Sequence, residues 1–178
     1  MHAAPLQAYL LCGPSLAGKS TAAAALSRAF DAGVVCADRI NEERGLPFGA
    51  EGLPESTWAE TLRIQLERMR QLAASGRSVI ADDSFCYRWL RDRHRDEARA
   101  AGLQPVLLLL APGEAELWSR HAAALAARSR PVLGVERFAD HLARFEWPGA
   151  DEQPIDITTP RALAGFIAAR CRKDLHDH

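Results

Sequence analysis

Short apolar runs alternate with amphipathic stretches along the whole chain. Residues 8–12 (Ala-Tyr-Leu-Leu-Cys) stop at Gly13-Pro14, residues 34–37 (Val-Val-Cys-Ala) at Asp38, and residues 78–81 (Ser-Val-Ile-Ala) at Asp82-Asp83. Residues 106–110 are the most apolar run and 155–157 a terse last one. Runs this short and this apolar predict strands covered on both faces, as in the middle of a parallel sheet. Between them, residues 19–30 form an alanine-rich stretch that predicts a helix. In 58–72, Leu62, Leu66 and Met69 recur at spacings of three and four with charged residues between, which predicts a helix with one buried face. Helices are also predicted over 87–101, 114–127, 136–145 and 161–172, with a Gly- and Pro-broken loop over 42–54 and a frayed tail over 174–178. Strand and helix alternating in this way predict βαβ units: an α/β fold whose mostly parallel sheet carries helices on both faces.

At 178 residues the chain is expected to be a single domain. A net charge of −1 supplies no global attraction for nucleic acid or acidic membranes. Lys19 and Lys173 are the only lysines among 22 basic residues, which makes Lys19 conspicuous. Cys12, Cys36, Cys86 and Cys171 stand far apart without zinc spacing and are expected to be inert thiols. With no apolar run long enough to span a bilayer, the chain is expected to be cytoplasmic, off the membrane, and a monomer or weak dimer.

Gly13-Pro14-Ser15-Leu16-Ala17-Gly18-Lys19-Ser20 matches G-x-x-x-x-G-K-[ST] between a predicted strand and a predicted helix, the context a phosphate loop requires. Glycines let the backbone curl so that successive N–H groups face phosphate oxygens, and the helix N-terminus adds its positive dipole end. The spacing predicts Lys19 on the outer phosphates of ATP, Ser20 on Mg²⁺, and Thr21 completing the nucleotide site. A phosphate loop establishes nucleotide chemistry without fixing the reaction.

The acceptor side must distinguish a kinase from other users of the loop. Asp38 follows the second strand at the carboxyl edge of the sheet, where it is expected to take the proton of an attacking hydroxyl; the alternative is a helix cap. Asp82 and Asp83 follow the third strand. Asp83, nearer the open end, is expected in the site, toward substrate and toward metal through water, with capping as the alternative. Arg39 and Arg44 are expected partners for the acceptor. Arg120, Arg128 and Arg130 fall in a lid segment near 120–136, with Arg120 and Arg128 expected in catalysis and Arg130 on the nucleotide. His94, His121 and His141 are expected at surface or satisfied polar positions, and the tryptophans in the core or in groove walls.

Taken together, the phosphate loop, Cys36-Ala37-Asp38-Arg39-Ile40-Asn41, Val79-Ile80-Ala81-Asp82-Asp83-Ser84, the Arg-bearing segment and Phe145-Glu146-Trp147-Pro148 resemble the bacterial kinases labelled AAA-family ATP-binding proteins. They are similar also to polynucleotide 5′-hydroxyl kinase domains, zeta toxins and chloramphenicol phosphotransferase. The resemblance covers residues 9–159 and implies a three-layer phosphate-loop fold with five parallel strands in the order 2-3-1-4-5, Asp38 as general base, Lys19 and Ser20 on ATP and Mg²⁺, and the lid arginines on the phosphates. It departs at Asn41, where polynucleotide kinases carry an arginine about one helical turn after the aspartate. Glu42 and Glu43 nearby disfavour a polyanion and suit a neutral or cationic acceptor. The leading expectation is therefore a kinase for a hydroxyl of a small molecule such as a metabolite, nucleoside or antibiotic. The alternatives are a polynucleotide 5′-hydroxyl kinase and a non-catalytic ATP-binding regulator.

Overall fold

The computed structural model describes residues 5–48, 53–128 and 131–176. Strands β1 (Gln7–Cys12), β2 (Gly33–Cys36), β3 (Val79–Asp82), β4 (Gln104–Leu109) and β5 (Ile155–Asp156) form one sheet in the order β2-β3-β1-β4-β5. Every neighbouring pair is parallel. The connections run through α1 (Lys19–Phe30), α2 (Ala37–Glu43), α3 (Glu55–Ala74), α4 (Arg88–Ala100), α5 (Glu114–Ala127) and α6 (Val135–Ala143), and α7 (Pro160–His176) closes the chain. This is the sheet order and the two-sided helical cover that the sequence implied.

The two-residue period of β1 builds two cores. Ala8, Leu10 and Cys12 join Val35, Val79, Ala81 and Met69 of α3 on one face. Tyr9 and Leu11 join Ile80, Leu108 and Leu26 of α1 on the other. Tyr9 stacks on Phe30 at 5.3 Å and meets the edge of Phe166 at 6.1 Å, so one aromatic cluster ties α1 and α7 to the sheet.

The elements depart from the sequence pattern at three places. β4 begins at Gln104, because Gln104 and Pro105 pair with Gln7 and Ala8 although neither is apolar enough to extend the run. α7 continues to His176, past the point where the tail was expected to fray. Residues 37–43 form α2, a helix absent from those the pattern predicts.

Arg91, buried among apolar neighbours, is held by a carboxylate. Its guanidinium donates from Nε and Nη2 to the two oxygens of Glu152 at 2.7 and 2.8 Å, and from Nη1 to the carbonyls of Phe85 and Glu146 at 2.8 Å each. Arg95 adds a third bond to Glu152 at 2.8 Å. Burial alone would raise the Glu152 carboxyl, but the bonds from Arg91 and Arg95 outweigh it and bring it down from 4.5 to about 2. A depressed carboxylate contributes stability that is fully present above its unfolded value and is lost as pH falls through the folded one. The stability advantage of the wild type over Glu152→Gln is therefore expected to shrink between about pH 4.5 and pH 2. Urea midpoints of both proteins across that range check it, and a constant difference would contradict it.

The cysteines are free thiols, and burial pushes Cys12 up to about 12, which keeps it protonated and inert. Among the described residues, no helix is long and apolar enough to cross a membrane.

Candidate active site

The carboxyl ends of β1, β2 and β3 open into one cleft of about 1410 Å³. Its floor is the phosphate loop. Gly13 must be glycine, since a Cβ there would lie 2.4 Å from the Leu110 carbonyl oxygen, and Gly18 adopts a φ of 101° that side chains resist. The Gly13 N–H donates to Ser84 O at 3.1 Å, tying the loop to the segment after β3. Ser15, Leu16, Gly18, Lys19, Ser20 and Thr21 face the cleft, while Ala17 is buried beneath it. Lys19 donates from Nζ to Pro14 O at 2.8 Å. Burial lowers its ammonium, and the negative charges of Asp82, Asp83 and Asp38 oppose that shift.

The two aspartates after β3 divide by the pleat. Asp82 shares parity with Ile80, whose side chain packs on the α1 face, and Asp82 meets the Ser20 hydroxyl at the start of α1. Burial raises the Asp82 carboxyl, and Lys19 and that hydrogen bond oppose the rise. Asp83 falls on the opposite face. It accepts from Gln65 Nε2 of α3 at 3.2 Å and from the Ser84 N–H at 2.6 Å. Both aspartates line the cleft: Asp82 makes the contact with Ser20, and Asp83, the one expected in the site, lines the neighbouring wall. A serine hydroxyl beside a carboxylate is a hard-oxygen pair of the kind Mg²⁺ takes when nucleotide and water complete its shell. Among the described residues, no group of three or more His, Cys, Asp or Glu could hold a metal by itself.

Asp38 stands at the second position of α2, whose cap is Cys36, and makes no side-chain cap bond. The capping alternative therefore fails. Its side chain reaches the cleft, where burial and then the charge of Asp83 raise the carboxyl while Lys19 lowers it. Arg39 and Arg44 do not line the cleft. Arg44 is instead structural: it donates to Thr57 O at 2.9 Å and to the Thr61 hydroxyl, which in turn donates to Asn41, so this chain locks α2 onto α3. Glu43 is exposed and paired with Arg68, and neither it nor Glu42 lines the cleft. The acidity of the acceptor half comes from Asp38, Asp83 and Glu55. Its remaining wall includes Trp58, Tyr87 and Trp89, the two tryptophans 44% and 59% exposed.

The opposite wall belongs to α5 and α6. Arg120 lines it, donating to Leu16 O at 2.9 Å and pairing with Glu116. Arg128 ends α5 in a left-handed conformation away from the cleft, and Arg130 lies outside the described residues. Of the segment expected as a lid, residues 120–127 belong to α5 and residues 135–136 open α6. The helix expected over 136–145 is α6, but sequence reading missed its place in the site: Arg137, His141 and Arg144, at spacings of four and three, line the cleft. That spacing was the available signal. His141 accepts the Ser15 N–H on Nε2 at 3.1 Å, so it occupies a satisfied polar position, and that position faces the cleft. His94 is fully buried, with Nδ1 3.0 Å from Leu90 O and Nε2 unpartnered, while His121 donates to Leu133 O at 2.7 Å.

Residues 9–148 match the family described as AAA domain. The chain belongs to the AAA domain family. The match runs from β1 through the phosphate loop, Asp38, the Asp82-Asp83 pair and α6. Comparison of this AAA domain protein with curated proteins finds no match. Among solved structures it is similar to a sugar kinase from Janibacter sp. HTCC2649, with TM-score 0.65 and 22% identity over 97% of this chain and 95% of that one. It is similar to a gluconokinase from Sinorhizobium meliloti 1021, with TM-score 0.66 and 20% identity over 96% and 95%. A Mycobacterium tuberculosis APS kinase in complex with AMPPNP and APS gives TM-score 0.56 and 21% identity over 71% and 74%. At these identities the likeness is one of fold: a kinase-like phosphate-loop fold.

Proposed function

We propose that this AAA domain protein is an ATP-dependent phosphotransferase acting on a hydroxyl of a small molecule. The observation that carries the reading is the convergence of Lys19, the Ser20–Asp82 pair and Asp38 in one cleft, with Asp38 on the side away from α5 and α6. Phosphoryl transfer requires alignment and charge neutralisation more than covalent help from the protein. Lys19 and the loop N–H groups bind the phosphates, and Arg120, Arg137 and Arg144 supply positive charge along the facing wall. Asp38 accepts the proton as the acceptor oxygen bonds to the γ-phosphorus and the bond to the bridging oxygen of ADP breaks. Its raised carboxyl is a better base than an ordinary aspartate. Mg²⁺, held by Ser20 and Asp82, would neutralise phosphate charge.

An acceptor half lined by Asp38, Asp83 and Glu55, with aromatic faces and without arginine or lysine among its described residues, suits a neutral or cationic acceptor. A polynucleotide would meet repulsion there. The gluconokinase and the AMPPNP- and APS-bound kinase among the structural neighbours support the small-molecule class. Incubating the protein with labelled ATP and a metabolite extract tests the reading: a labelled small molecule formed by the wild type and not by Lys19→Ala is expected. Calorimetry should show Lys19→Ala weakening Mg-AMPPNP binding by about 10- to 100-fold, the worth of a charge-assisted contact. Equal affinity in both proteins would remove the phosphate-loop assignment.

A further inference from the structure

The His141 contact places a basic ring in the phosphate loop itself. Ser15 is the third residue of that loop, whose N–H groups are its means of binding phosphate. One of those donors is taken by Nε2 of His141 at 3.1 Å, across 126 residues of chain. A ring nitrogen that accepts an N–H is unprotonated, so the ring is neutral in this arrangement. Its lone pair points at a donor that anionic phosphate oxygens also seek.

The surroundings favour the neutral ring while the loop holds no phosphate. Burial and then the ammonium of Lys19 on α1 lower the His141 pKa, and Asp83 at the end of β3 and Asp140 on the same helix partly restore it. Arg120 from α5 and Arg137 and Arg144 from α6 line the same cleft and add positive charge, while Asp38 and Asp82 lie across it beside Lys19. Nucleotide phosphates reverse this balance, because several negative charges enter beside Lys19 and offset the cation that disfavours imidazolium.

Building on the phosphotransferase reading, we propose that His141 takes up a proton when nucleotide phosphate enters the loop, changing from acceptor of the Ser15 N–H to a donor toward phosphate. Atoms balance simply: solvent supplies one proton, the Ser15 N–H is released to a phosphate oxygen, and the ring N–H so formed donates to the same group. Because His141 lies between Arg137 and Arg144 on α6, the switch also draws that helix and its arginines onto the bound phosphates. His141 is then a positioning residue whose ionisation is set by occupancy of the loop.

Calorimetric titration with Mg-AMPPNP near neutral pH, in two buffers of different ionisation enthalpy, measures the protons taken up. The wild type is expected to take up about one proton more than His141→Gln, whose amide oxygen can still accept the Ser15 N–H but does not titrate. Wild-type affinity should accordingly rise by up to about tenfold per pH unit as pH falls between the free and bound pKa, and this component should vanish in the variant. Equal proton uptake with binding intact in both proteins would overturn the proposal and leave the phosphotransferase reading standing. Failure of the wild type to bind Mg-AMPPNP would overturn both. Should His141→Gln not fold, the ¹⁵N shifts of the wild-type ring decide the matter. A change from neutral to protonated on adding Mg-AMPPNP supports the proposal, and an unchanged ring overturns it.

Discussion

Asp38→Asn is expected to bind Mg-AMPPNP as the wild type does and to transfer phosphate roughly 10²–10⁴ times more slowly, the usual worth of a general base. Asparagine keeps the shape and length of the side chain but cannot accept a proton. The position also carries little structural load: Asp38 caps nothing and opens onto the cleft, outside both hydrophobic cores. Removing one negative charge near Lys19 should, if anything, help anionic nucleotide to bind. Single-turnover transfer and calorimetry on the same preparation separate the two effects. Unchanged transfer would show that the acceptor is deprotonated elsewhere, with Asp83 the next carboxylate along the wall.

Arg91→Ala is expected to cost about 3–5 kcal/mol of stability, since it strands the Glu152 carboxylate in a buried site without its principal partner. It also removes the donor to Phe85 O and Glu146 O, and the segment after β3 loses its anchor. Replacing both members, as in Arg91→Met with Glu152→Leu, should recover most of the loss because no uncompensated charge remains. Denaturant midpoints of the single and double variants measure the difference. A single variant within about 1 kcal/mol of wild type would mean that Arg95 alone satisfies Glu152. The damage should extend to function. Ser84 O, next to Phe85, accepts the Gly13 N–H, so a loosened segment also loosens the start of the phosphate loop.

Features written contiguously were legible in the sequence. The phosphate loop sits in consecutive residues, and its meaning depends only on a strand before it and a helix after it, both of which the apolar pattern supplied. Asp38 and the Asp82-Asp83 pair could be read because ligands of a parallel sheet gather where strands end. Their division of labour followed from the two-residue period of β3, a criterion that distance from the strand end does not capture. Arg39 and Arg44 misled because proximity in sequence to Asp38 says nothing about direction once residues 37–43 coil into α2. Six residues of coiling chain separate Asp38, which faces the cleft, from Arg44, which is bonded to α3. The α6 contribution was the hardest to anticipate. Arg137, His141 and Arg144 reach the cleft because β4 lies beside β1, so that the helices after it return over the central strand.

The brevity of β5 has a consequence for how copies of this protein can meet. A sheet margin with a long row of unpaired amides and carbonyls templates a further strand from another chain, which is the first step of many aggregates. Here the margin beyond β4 is finished by Ile155 and Asp156 alone, paired with Leu108 and Leu109. Two residues give an incoming strand too few ladder bonds to offset the entropy of ordering it, and the Asp156 charge discourages stacking in register. Strand addition onto β5 itself is therefore disfavoured, and any pairing of copies through β5 must rely on side-chain surfaces.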